Sequence, residues 1–173
     1  FIRRRIDEER VALRPEPPVI AAPHPDPVAV AHVATMLAEA KRPLLLIGKG
    51  AAWADAGPAL AALAGMGIPF VASPMGRGVV PDESPSCVNA ARSTAMSQAD
   101  VVVLFGGRFN WMFQFGRAPR MAPDVRIAHV DIEAEEMYSA ANLEIGVVAD
   151  ARTTAEALCE ALRGRPLLSQ GTG

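Results

Sequence analysis

Apolar residues arrive along this chain in short, dense runs separated by polar stretches rich in Gly, Pro and Asp. Leu44–Ile47, Ile68–Ala72, Val101–Phe105, Val125–Val130 and Ile145–Val148 are apolar with almost no alternation. Runs of this length and character suit strands covered by helices on both faces. Between them the period changes. Val30, Val33, Met36 and Leu37 lie on one face of a helix spanning 28–40, with Asp26 and Pro27 as its N-cap and first position. Pro58–Ala64 predicts a second helix, closed by Gly65 and Gly67, and Asn89 is the expected N-cap of a third over 90–98. Asp150 is the expected cap of the last helix, Ala151–Leu162. The alternation predicts right-handed βαβ crossovers and an α/β fold: a mainly parallel sheet of five or six strands with helices on both faces.

The ends of the chain read differently. Phe1–Pro27 is expected to be an interdomain linker: a charged start, Phe1–Leu13, that can form a short helix, then Pro15, Pro17, Pro18, Pro23, Pro25 and Pro27, which favour extended polyproline conformation. A folded domain over 28–163 follows, and 164–173 is expected to be a loose tail. The chain begins at Phe1 rather than Met, as a piece cut from a longer protein would.

Composition narrows the function classes. At 173 residues and half apolar, the chain can bury one full core. A formal net charge of −2 gives no field to attract nucleic acid or anionic membrane. No apolar run reaches the length of a membrane span, and Phe1–Val11 is charged where a leader would be apolar. Cys87 and Cys159 form neither a CxxC nor a zinc spacing and are expected to be free thiols in a cytoplasmic protein. His24, His32 and His129 have no metal spacing, and neither a P-loop nor a GxSxG element occurs.

In an open parallel sheet, ligands bind at the carboxyl ends of the strands, and three strand ends carry chemistry here. Gly48-Lys49-Gly50 follows the first strand, where glycines and amides can approach a phosphate. Trp53 replaces the third glycine of a dinucleotide fingerprint, so a plain tight turn is the competing reading. Gly106-Gly107-Arg108 ends the third strand; Arg108 can stack on a base or pair with a phosphate, or serve as a surface ion pair. Asp131 ends the fourth and can accept from ribose hydroxyls or cap the short helix expected over 133–137. It lies about 80 residues beyond the glycine loop, far from the roughly 20 of a dehydrogenase, which excludes that class. With no acid–base pair in view, the chain reads as a nucleotide binder without chemistry of its own.

Six segments then resemble one family: Leu46–Ala52, Pro74–Asp82, Ala90–Ser93, Ala99–Val103, Gly107–Trp111 and Val130–Glu133. Together they resemble the central domain of thiamine-diphosphate enzymes, within these the 2-hydroxyacyl-CoA lyases and oxalyl-CoA decarboxylases. The resemblance implies a three-layer, Rossmann-like (DHS-like) domain that holds the ADP part of coenzyme A, or free ADP. Thiamine diphosphate and Mg2+ would be bound by N- and C-terminal domains of the same chain, in a homo-oligomeric parent acting on an acyl-CoA. By position it implies that Gly48, Lys49 and Gly50 line the nucleotide, Arg108 meets adenosine or phosphate, and Asp131 meets ribose. Ala151, beside Asp150, falls where a backbone group meets adenine, and Arg92 is a weaker phosphate candidate. Two departures stand out: Gly107 replaces an alanine, and Ala151 a larger aliphatic residue, which puts adenine packing in doubt. An FAD-holding domain of the acetolactate-synthase type and a ligand-free spacer are the alternatives. Mutual ion pairing of Lys49, Arg108 and Asp131 would favour the spacer.

Overall fold

The computed structural model describes residues 20–170. The expected charged helix over 1–13, the proline-rich segment as far as residue 19 and residues 171–173 lie outside the described residues.

Five parallel strands form one sheet: β1 (Pro43–Ile47), β2 (Phe70–Ala72), β3 (Val101–Phe105), β4 (Arg126–Asp131) and β5 (Leu143–Val148), in the order β2-β1-β3-β4-β5. The helices are α1 (Pro27–Glu39), α2 (Lys49–Trp53), α3 (Gly57–Gly65), α4 (Arg92–Gln98) and α5 (Ala151–Leu162). Each strand foreseen from its apolar run is present. The shifts at their ends have local causes. β2 begins after Pro69, which has no N–H to give a ladder. β5 starts earlier than expected because, as the sheet's edge, it alternates half-buried and exposed residues and so admits Glu144.

Alternate residues of β1 and β3 build two cores. Leu45, Ile47, Val101, Val103 and Phe105 face α1, α3 and α5, whose Val33, Leu37, Leu60, Leu63 and Leu158 are fully buried. Leu44, Leu46, Val102 and Leu104 face the other way. That side is covered thinly, by Met96 of the seven-residue α4 and by Phe109, Phe113, Met121 and Val125 of the long β3–β4 connection. This connection contains a 3-10 segment, Trp111–Gly116, in which Gln114 and Phe115 sit at φ 48° and 53° and Gly116 at 73°. Two successive non-glycine residues in left-handed conformation are costly and persist only where packing holds them; buried Phe113 and Gly116 flank them.

Three expectations need correction. Asn89 does not cap a helix: its side chain accepts from the Ala72 amide (2.9 Å) and donates to Asp82 (3.0 Å). The chain there makes a 3-10 turn, Asn89–Ala91, before α4 starts at Arg92. The helix after β4 is likewise a 3-10 segment, Ala134–Ser139. The segment beyond Gly164 is docked as far as it is described, because Leu167 is only 5% exposed and joins the first core.

Candidate functional site

The connection from β1 to β2 runs to one side of β1, and the next crosses back to place β3 on the other. The chain therefore diverges at the carboxyl ends of β1 and β3, where an open α/β sheet leaves a crevice. A cavity of about 710 Å³ occupies that place, a size suited to a small organic ligand. Gly48, Lys49, Gly50, Arg108, Asp131, Asp150 and Ala151 all line it. Of the residues singled out from the sequence, Arg92 alone is not among its lining residues; it lies at the start of α4, with its Nε buried and unpartnered.

The glycines serve backbone packing as much as ligand approach. Gly48 N–H donates to Phe105 O (2.9 Å) and Gly50 N–H to Gly106 O (2.7 Å), so two of the three expected phosphate-facing amides are already bonded to the end of β3. A Cβ at Gly48 would stand 2.6 Å from Gly107 Cα, and one at Gly50 2.7 Å from Gly106 Cα. The two strand ends approach so closely that neither loop has room for a side chain. Gly106 sits at φ 59°, which aims the chain from β3 into the cavity wall.

The charged residues do not pair with one another in the way that would favour a spacer. Lys49 Nζ lies 5.5 Å from the centre of the Trp53 ring, an exposed cation–π contact one turn along α2. Arg108 Nε is 2.7 Å from Glu136 Oε1. Asp131 Oδ1 accepts from Glu133 N–H at 3.1 Å, tying down the loop after β4 and leaving the carboxylate with lone pairs to spare. Asp150 does cap α5, accepting from Thr153 N–H at 3.0 Å. Its own amide donates to Pro23 O (2.8 Å), so the incoming segment is attached at the cavity's edge.

His129 lies beneath this wall, fully buried. A carbonyl can only accept, so Nε2–H donates to Gly107 O at 2.7 Å, leaving Nδ1 as a buried lone pair without a partner. Burial pushes its pKa down, opposed by the Gly107 bond and nearby Asp131 and Glu136. The neutral ring, edge-on to Phe109 at 5.5 Å, thus holds the backbone beside Arg108. The sequence reading missed this role, as it missed Glu136. Only the neighbouring positions of β3 and β4 bring His129 to Gly107 and Glu136 to Arg108. The cavity rim is apolar and exposed, with Trp53, Met75 and Ile132 at 80, 62 and 58% exposure.

A parallel sheet in this order, with a cavity of charged and apolar residues at its switch point, defines an open α/β domain with a ligand-sized crevice at its strand ends. The profile of the family "Thiamine pyrophosphate enzyme, central domain" matches residues 30–158, and the chain belongs to that family. It is 45% identical over 139 residues to human 2-hydroxyacyl-CoA lyase 1 and 35% identical over 140 residues to Escherichia coli oxalyl-CoA decarboxylase. Each alignment takes in 80% of this chain, and the chain spans about a quarter of either relative (24% and 25%). Benzoylformate decarboxylase from Polynucleobacter necessarius shares the fold with a TM-score of 0.69 at 19% identity, over 89% of this chain and 31% of that one.

Proposed function

We propose that this domain is the nucleotide-holding centre of a thiamine-diphosphate-dependent carbon–carbon lyase or decarboxylase, and that it binds the ADP part of an acyl-CoA. The observation that carries the reading is the convergence of Lys49, Arg108 and Asp131 on one cavity at the switch point, unpaired with each other. A cation pair for phosphate and an acidic strand end for ribose is the chemistry a nucleoside diphosphate requires. Kinship to 2-hydroxyacyl-CoA lyase and oxalyl-CoA decarboxylase supports a CoA ligand over others.

In this reading residues 28–163 form the binding domain and the flanking segments lead to N- and C-terminal domains that hold thiamine diphosphate and Mg2+. The thiamine cofactor supplies the carbanion chemistry there. The domain described here supplies none. Its part is to bind a remote handle of the substrate and so orient the acyl end. The parent would work as a homo-oligomer in the cytoplasm.

Calorimetric titration of the chain with ADP, CoA and FAD at fixed, moderate salt tests the proposal, with Arg108→Ala as control. Binding of ADP and CoA, lost in the variant, is the expected result. FAD binding alone would transfer the domain to the acetolactate-synthase type. If no nucleotide binds the isolated chain or a full-length parent, the domain is a spacer.

A further inference from the structure

Two cations and four carboxylates line the cavity: Lys49 and Arg108 against Asp131, Glu133, Glu136 and Asp150. For a site meant to hold a polyanion this balance is adverse. One of the four carboxylates, moreover, lies directly on the cation best placed for a phosphate: Glu136 Oε1 is 2.7 Å from Arg108 Nε. The two partners are unequal. The Glu136 side chain is 19% exposed and that of Arg108 72%. Glu136 is also fixed from both sides. Its amide donates to Glu133 O (3.1 Å), its carbonyl accepts from Ser139 Oγ (2.6 Å), and the next residue, Met137, is packed against Gly146 of β5. Arg108 instead follows two glycines and reaches out along the wall. Glu136 is the stationary member and Arg108 the one that can turn toward a ligand.

We propose that Glu136 is a specificity-determining residue of this cavity, holding Arg108 as a charge-neutral pair so that the site discriminates against ligand phosphate charge. The proposal rests on the nucleotide reading of the same cavity. A phosphate that reaches Arg108 has to share the guanidinium with a fixed carboxylate and meets that carboxylate's repulsion across a few ångströms. A neutral nucleoside meets neither. Affinity for the diphosphate is thereby held below what Lys49 and Arg108 would give alone, which suits a handle that must be released after each turnover.

The test compares ADP with adenosine, each titrated calorimetrically into the wild-type chain, Glu136→Gln, Glu136→Ala and Glu133→Gln at the same salt. Removing a charge a few ångströms from a phosphate in a partly wet site is expected to raise the ADP-to-adenosine affinity ratio about tenfold in both Glu136 variants. It should also steepen the fall of ADP affinity with salt. Glu133→Gln removes the same charge from the same cavity without touching Arg108, and should move the ratio less than about threefold. Having two Glu136 variants, one isosteric, keeps the result readable if either is poorly folded. A ratio that stays put or falls in the Glu136 variants would show that Glu136 merely props Arg108 for the phosphate, and overturns the proposal while leaving the nucleotide reading intact. An equal rise in Glu133→Gln would reduce the effect to net charge and overturn it too. Failure of the wild-type chain, every variant and a full-length parent to bind either ligand would remove the nucleotide reading and this inference with it.

Discussion

Replacing Gly48 by alanine tests the idea that the strand-end glycines exist to let two backbones meet. Gly48 has φ −102° and ψ −176°, a conformation open to any residue, so the substitution carries no intrinsic backbone penalty. Its cost comes from contact alone. The new methyl would overlap Gly106 O and stand 2.6 Å from Gly107 Cα, both backbone atoms that cannot rotate away. Relief requires the end of β3 to retreat, which strains the bond from Gly50 N–H to Gly106 O (2.7 Å) and that from Gly106 N–H to Val130 O (2.8 Å). Overpacking of this kind costs about 1–3 kcal/mol, and weakening two backbone hydrogen bonds adds about 1 kcal/mol. A destabilisation of about 2–4 kcal/mol corresponds to a Tm lower by about 5–15 °C in a chain of this size. Gly65→Ala is the matched control: a Cβ there meets nothing within 4 Å at the end of α3. It should leave Tm unchanged or raise it by about 1–2 °C through helix propensity and the reduced freedom of the unfolded chain. Thermal unfolding followed by circular dichroism reads both. A Gly48→Ala protein as stable as the control would refute the steric argument and return these glycines to the ligand alone.

Other consequences are as readily measured. Glu144 accepts both Nε and Nη of Arg126 (2.6 and 2.7 Å) and also His32, and the arginine foremost lowers its pKa to about 2. A carboxylate depressed in the fold stabilises it above its unfolded pKa and loses that contribution as pH falls from about 4.5 toward 2. Because the pair is partly exposed, Glu144→Gln should cost only about 1 kcal/mol at pH 7 by urea unfolding, and the difference should close at the acid end; a gap that persists at pH 2 would contradict the assignment. His129, buried and neutral, has the opposite chemistry but the same direction: the unfolded chain takes up a proton below about pH 6.5 that the fold refuses, so stability falls as pH drops through that range. His129→Gln should flatten this part of the pH–stability curve. Leu104→Ala, in the thinner core, should destabilise by about 2–5 kcal/mol, with a denaturant midpoint to match. Acrylamide should quench most of the fluorescence of Trp53 and Trp111, which are 80 and 76% exposed, and ADP should shield Trp53 if it closes over the cavity mouth; a Trp53→Phe protein would then show no ligand-dependent change.

The first four strands were legible because each is buried on both faces or nearly so, as in the run Val101–Phe105, and β5 because its apolar residues still stand in one short run. The caps at Asp26 and Asp150 were legible for an equally local reason: a short acceptor side chain precedes a helix and bonds its first free amides. Asn89 shows where local reasoning ends. The same side chain is needed by the Ala72 amide at the end of β2, seventeen positions away in sequence, and that demand prevails. The candidate site was legible as a set of strand ends, since Gly48, Arg108, Asp131 and Asp150 each follow an apolar run. Their pairing was not. Strand order decides that β3 and β4 are neighbours, and with it that Arg108 finds Glu136 and that His129 finds Gly107. Nothing in the local sequence of Ala134–Ser139 marks Glu136 apart from Glu135, whose residue is exposed while Glu136 is turned inward.

The attachment of Pro23 has mechanical meaning. Its carbonyl accepts from the amide of Asp150, the residue that caps α5 and borders the cavity. A chain arriving at this domain is therefore moored to the same helix terminus that a ligand would touch, before it turns into α1. A shift of the chain at Pro23 would therefore bear first on Asp150, which both caps α5 and lines the cavity.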